Sequence, residues 1–172
     1  KGSAKLETGF DVAAGAEVHL YAVWTPNKYT VSFNANGGSE CEDITVIYDG
    51  KYTDLPTTTR TGYTFDGWYD GSTKVTADTV VKITADQTLA AKWTANKYTV
   101  TFDVDGQTDL ISPVSVEHGN GVSKPDTSKL TKEGHTFDGW YTDATHTNKY
   151  TNWGDSITRN TTFYARWNVN PY

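Results

Sequence analysis

Three short motifs recur along this chain in a fixed order, and that repetition limits the fold more than any other feature. A segment ending in Ala-x-Trp occurs at Ala22-Val23-Trp24, Ala91-Lys92-Trp93 and Ala165-Arg166-Trp167. A tyrosine follows each tryptophan by five residues, at Tyr29, Tyr98 and Tyr172. Thr-Phe-Asp-Gly-Trp-Tyr runs from Thr64 to Tyr69 and again from Thr136 to Tyr141. The opening segments match as well, Asn27-Lys28-Tyr29-Thr30-Val31-Ser32-Phe33 against Asn96-Lys97-Tyr98-Thr99-Val100-Thr101-Phe102. The step is 69 residues from Tyr29 to Tyr98 and 72 from Trp68 to Trp140. Periodicity on this scale marks a tandem array of small units.

The expected division follows from the motifs. Residues 1–25 read as the last part of a preceding repeat, 26–94 as one complete repeat, 95–168 as a second, and 169–172 as the start of another. Gly2-Ser3 resembles a cloning scar and is left out of the fold reasoning. The short joints Thr25-Pro26 and Thr94-Ala95 leave little hinge freedom.

Each repeat reads as mostly β. Tyr29, Val31 and Phe33 alternate onto one face, the period of two that a strand requires. Asn34 to Gly38 and Asp105-Gly106 read as turns. Second strands follow at Ile44–Tyr48 and Val114–Glu117. Leu55-Pro56 and Lys124-Pro125 open polar crossings, where proline rules out a central strand. The third strand carries Phe65 and Trp68, or Phe137 and Trp140, on either side of Asp-Gly. A bulge at Gly67 or Gly139 returns both rings to one face. A short helical turn is expected around Asn152 to Ser156, and closing strands at Thr88–Trp93 and Thr162–Trp167, where small alanines make room for a ring.

The core is expected to be aromatic. One cysteine, Cys41, excludes an internal disulfide, aliphatic residues are sparse, and Trp, Tyr and Phe make up 13% of the chain. Such rings bury roughly 150–250 Å² each. Trp68, Trp93, Trp140 and Trp167 sit at matched positions and are assigned to the interior. Trp153 has no counterpart in the first repeat. Packing is the favoured role for it, and it is also the candidate ligand contact.

No constellation of catalytic type stands out. His19, His118, His135 and His146 are the only imidazoles; His135 takes the place of Tyr63, and His19 aligns with Thr88. Packing is therefore favoured over metal binding. Asp66 and Asp138 belong to Asp-Gly turn or bulge pairs. Asp103 and Asp105 supply half a calcium loop, but Asn34 and Asn36 stand there in the first copy, so a turn role is favoured. Cys41 has no equivalent and no basic neighbours, which favours an inert thiol. Asn160-Thr161-Thr162 matches a glycosylation sequon, a three-residue signal of little specificity. The net charge of −6 argues against nucleic acid and anionic membranes as partners. No apolar run approaches the ~20 residues of a membrane span.

The order Tyr-Thr-Val-x-Phe, Gly-Tyr-Thr-Phe-Asp-Gly-Trp-Tyr and closing Ala-x-Trp resembles the Listeria–Bacteroides repeat, also called the B repeat of internalin-type proteins. The resemblance covers nearly the whole chain and departs at His135 and by extra residues after Tyr141. It implies an α+β, mostly β fold of tandem β-grasp-like (ubiquitin-like) repeats. It implies a secreted, multi-domain protein of a bacterial cell surface or cell wall, with functions of spacing, adhesion and contact with host molecules. The family offers no catalytic residues to carry over. The chain is accordingly read as a non-catalytic rigid spacer or stalk, with an adhesive module for a host protein or glycan as the alternative. Neighbouring repeats are the expected partners, the chain is expected to be a monomer, and no cofactor is expected.

Overall fold

The computed structural model describes residues 21–106 and 110–171, together with Gly15 and His19. Most of the segment read as the end of a preceding repeat lies outside these residues, as does Tyr172. Such a segment, lacking most of its partners, is expected to fray or to add a strand to a sheet edge, which lies outside the described residues as well. Trp24, which is described, is 64% exposed.

The first sheet has five strands: β1 (Lys28–Asn34), β2 (Ile44–Ile47), β3 (Tyr63–Asp70), β4 (Thr73–Val75) and β5 (Gln87–Ala95). Their spatial order is β2-β1-β5-β3-β4. The second sheet has β6 (Lys97–Asp103), β7 (Val114–Glu117), β8 (His135–Tyr141) and β9 (Thr161–Val169), in the order β7-β6-β9-β8. Each opening strand forms an antiparallel hairpin with the next: Tyr29 faces Val46, and Tyr98 faces Val116. It also runs parallel to the closing strand, with Phe33 opposite Leu89 and Phe102 opposite Phe163. A parallel neighbour cannot be reached by a tight turn, so a long crossing must intervene. The proline-containing segments supply it.

The start of each parallel pair is tied by a side chain. Asp86 Oδ1 accepts from the Thr30 N–H at 2.8 Å, and Asn160 Oδ1 accepts from the Thr99 N–H at 2.9 Å. The sequon asparagine is thus part of the sheet's hydrogen bonding.

Two expectations are corrected. The described residues contain no helix, so the α part of an α+β fold is absent there and the repeats are all β. The segment expected to coil at Asn152 to Ser156 makes one hydrogen-bonded turn, in which the Asp155 N–H donates to the Asn152 carbonyl at 2.9 Å. Gly154 sits inside it, and glycine is a poor helix former. Thr94-Ala95, read as a joint with little hinge freedom, is continuous with a strand. Both residues belong to β5, and Asn96 alone separates β5 from β6.

The chain resolves into two compact units. One draws on the chain through Asn36, Glu40–Thr58 and Gly67–Ala91; the other on Gly37–Ser39, Thr59–Asp66 and the chain from Lys92 onward. In the first, Val31, Val46, Tyr52, Trp68, Val81 and Leu89 are buried. In the second, Val100, Phe102, Trp140, Ile157, Phe163 and Ala165 form the interior. Within the second unit, the Asn96 N–H donates to the Gly62 carbonyl at 2.9 Å, and Asn96 Oδ1 accepts from the Thr64 hydroxyl at 2.8 Å. Asn170 repeats the arrangement with Gly134 at 2.8 Å and Thr136 at 2.6 Å.

Candidate functional site

The region around Trp153 is organised by the bulge in β8. Phe137 faces Trp167 and Gly139 faces Arg166, so the register shifts by one residue between them. Gly139 has φ 153° and Gly67 has φ 134°, values that L side chains rarely adopt. The extra residue turns Phe137 and Trp140 to the same side, with ring centroids 5.5 Å apart in an edge-to-face arrangement. Trp140 is 1% exposed and lies opposite Ala165, whose small side chain admits the indole.

A lysine covers each of these glycines. A Cβ added at Gly139 would lie 2.6 Å from Lys149 Cε, and one at Gly67 would lie 2.6 Å from Lys74 Cε. Lys149 Nζ donates to the Asp138 carbonyl at 2.7 Å and to Asp138 Oδ1 at 3.0 Å. The Tyr141 hydroxyl donates to Asp138 Oδ2 at 2.5 Å. The Tyr141 and Lys149 hydrogen bonds hold the Asp138 carboxyl below the usual carboxylate range. The sequence signal for this lysine is its position immediately before Val75 or Tyr150.

The insert between Tyr141 and Lys149 is a self-braced loop. The Asp143 carboxylate accepts from the Thr145 hydroxyl at 2.5 Å and from the Thr147 and Asn148 N–H groups at 3.0 and 2.9 Å. These bonds, led by that from Thr145, push its pKa well below the usual range. His146 Nε2 donates to the Ala165 carbonyl at 2.9 Å, which makes this histidine a structural tie.

Beyond the insert, the Tyr150 N–H donates to the Trp140 carbonyl at 2.8 Å. The Tyr150 ring stacks on Phe163, with centroids 4.3 Å apart. Trp153 meets Tyr150 edge to face at 4.9 Å and lies 5.4 Å from Phe163. Trp153 is half-buried against the core while also lining a cleft of about 450 Å³ with Lys124, Thr127, Phe137, Trp140, Tyr150 and Thr151. Trp140 Nε1 and the Tyr150 hydroxyl are buried with no hydrogen-bond partner in the protein. Burial, then Asp155, raises the Tyr150 pKa, which keeps the phenol protonated.

The other singled-out residues lie apart from this cleft. Trp93 and Trp167 are half-buried rather than interior. They continue the core face of β5 and β9 beyond Ala91 and Ala165 and pack on Phe65 at 5.2 Å and Phe137 at 5.4 Å, near the strand ends where the core runs out. Asp103 accepts from the Gly106 N–H at 2.6 Å, and Asp105, at φ 53°, pairs with Lys132 at 2.9 Å, as a turn requires. Asp66 accepts from the Thr94 hydroxyl at 2.9 and 3.0 Å. His135 Nδ1 lies 2.8 Å from the Glu133 carbonyl, and the His118 ring lies 6.0 Å from that of Tyr98. The Cys41 thiol contacts the Thr57 carbonyl at 3.7 Å. Among the described residues no group of three or more His, Cys, Asp and Glu side chains is arranged to hold a metal, and no helix is long and apolar enough to cross a membrane.

The matched sheets and the recurring third strands define a protein built of tandem, aromatic-cored β repeats. The Listeria-Bacteroides repeat domain matches twice, over residues 29–92 and 98–166, and the chain belongs to that family. It is 37% identical over 157 residues to a protein of Evansella cellulosilytica provisionally named a membrane protein, covering 90% of this chain and 23% of that one. It is 34% identical over 146 residues to Internalin H of Listeria monocytogenes, covering 83% and 25% of the two chains. The chain thus spans about a quarter of the length of these relatives. Among solved structures, domains 3-4 of the Streptococcal High Identity Repeats in Tandem (SHIRT) from a cell surface protein align over 84% of this chain and 99% of that one. The identity there is 18% and the TM-score 0.31.

Proposed function

We propose that these repeats are a rigid, non-catalytic, monomeric spacer in a protein exposed on a bacterial cell surface or wall, holding another domain away from its anchor. The observation that carries this reading is the passage from β5 to β6 through Asn96 alone. The backbone N–H and carbonyl and the side-chain Oδ1 of that residue are engaged, by Gly62, His118 and Thr64. So short a passage from one sheet's last strand to the next sheet's first supports the spacer reading. The similarity to Internalin H supports the surface setting. The strand order β2-β1-β5-β3-β4, with its parallel central pair, supports a β-grasp sheet without the usual helix.

Small-angle scattering on chains of one, two and four repeats tests the reading. Maximum dimension should rise almost linearly, by roughly 30–35 Å per repeat on the scale of compact domains. A compact particle whose dimension levels off as repeats are added would refute it. Adhesion is the second reading, and the cleft beside Trp153 is the observation that favours it.

A further inference from the structure

The two repeats differ most in chemistry beneath the crossing. In the first, Trp68 Nε1 donates to the Pro56 carbonyl at 2.7 Å, and aliphatic Val75 lies opposite Trp68 in the ladder. Pro56 precedes that tryptophan by 68 − 56 = 12 residues, whereas Pro125 precedes Trp140 by 140 − 125 = 15. With the longer crossing, no protein acceptor reaches Trp140 Nε1. Tyr150 takes the place of Val75 beside the tryptophan and brings a second buried hydroxyl without a partner.

An orphaned buried donor is costly, and two that belong to residues lining one cleft mark a place where a partner from outside the chain is accommodated. The cleft's 450 Å³ falls in the range of small-molecule sites. Its lining combines the aromatic residues Phe137, Trp140, Tyr150 and Trp153 with the polar residues Lys124, Thr127 and Thr151. A purely apolar guest would leave both orphans unsatisfied. An anion would meet one cation, Lys124, and the carboxylate of Asp138 in the same lining.

We propose that this cleft binds one uncharged sugar residue of a glycan. The C–H face of the pyranose lies against the Trp153 indole. A ring-substituent oxygen accepts from Trp140 Nε1, and a sugar hydroxyl pairs with the Tyr150 O–H. Both protein atoms are sealed, so binding includes a small outward shift of the side chains that line the cleft, Lys124 and Thr127 among them. The proposal deepens the adhesive reading and is independent of the spacer reading, which scattering decides.

The test titrates the 172-residue chain with triacetylchitotriose, lactose and maltotriose, followed by saturation-transfer NMR and tryptophan fluorescence. At least one sugar should bind saturably. Tyr150→Phe, which keeps the ring and its packing, should weaken that binding about tenfold, the scale of one lost hydrogen bond. Trp153→Ala, with its fold checked by circular dichroism, should weaken it at least as much, and Val80→Ala on the first repeat should not change it. Absence of saturation with all three sugars overturns the proposal. Binding that survives Tyr150→Phe overturns it too, whatever Trp153→Ala does.

Discussion

Replacing Trp68 and Trp140 by phenylalanine, one at a time, isolates the difference between the repeats. The two indoles occupy matched positions and are 2% and 1% exposed, so the loss of buried area and the space left behind nearly cancel in the comparison. Hydrogen bonding does not cancel. Trp68→Phe removes a 2.7 Å bond and strands the Pro56 carbonyl. Pro56 is half-buried and water can reach part of it, so this costs about 1 kcal/mol, near the low end for a stranded group. Trp140→Phe removes a donor that had no partner in the protein, which recovers about 1–3 kcal/mol of its desolvation cost. Trp68→Phe should therefore be the more damaging by about 2–4 kcal/mol. Hydrogen exchange on the amides of β5 and β9 reads the two sheets separately, and urea unfolding gives the overall change. Equal costs, or a larger one for Trp140→Phe, would refute the claim that the longer crossing leaves the Trp140 N–H unserved.

The bulge glycines make a second test. Gly67→Ala and Gly139→Ala each force a side chain into a φ region it avoids and against a lysine Cε 2.6 Å away, for a loss of about 1–3 kcal/mol each. Gly154→Ala, with open space around its Cβ, is the control; a thermal midpoint for Gly139→Ala no lower than the control's would count against the bulge as a fixed feature. Asp138 gives a pH dependence. Its folded pKa is depressed, so its contribution is present above the unfolded value of about 3.9 and is lost as pH falls through the folded value. Asp138→Asn should lower stability at neutral pH and converge with the parent once pH has fallen below the folded value, by urea unfolding across the acid range; parallel curves would show that the Tyr141 and Lys149 bonds contribute nothing.

Much of each sheet was legible because a strand announces itself locally. Tyr29-Thr30-Val31-Ser32-Phe33 alternates, and the structure places Val31 at 0% exposure within β1. The Asp-Gly between Phe137 and Trp140 signalled a bulge because two rings cannot otherwise share one face of a strand, and the register shift falls there. Trp153 could be singled out as copy-specific from the repeat comparison, but its neighbours could not. Lys124, Trp140 and Tyr150 come from the crossing, from β8 and from the segment after it, and meet only once the chain is folded. Lys149 was missed because a lysine in a polar insert looks like any exposed charge until the bulge it covers is seen.

By itself the sequence determined the repeat, its strands, the bulge and the aromatic character of the interior, because these depend on periods of two residues and on motifs a few residues long. Tertiary structure alone decided that no helix covers the sheet in the described residues, that Trp93 and Trp167 stop half-buried, and that Trp140 and Tyr150 keep buried polar atoms without partners. Hydrogen-bond satisfaction and burial depend on which distant segments arrive at the same place, and a crossing three residues longer changes that arrival without changing any local signal.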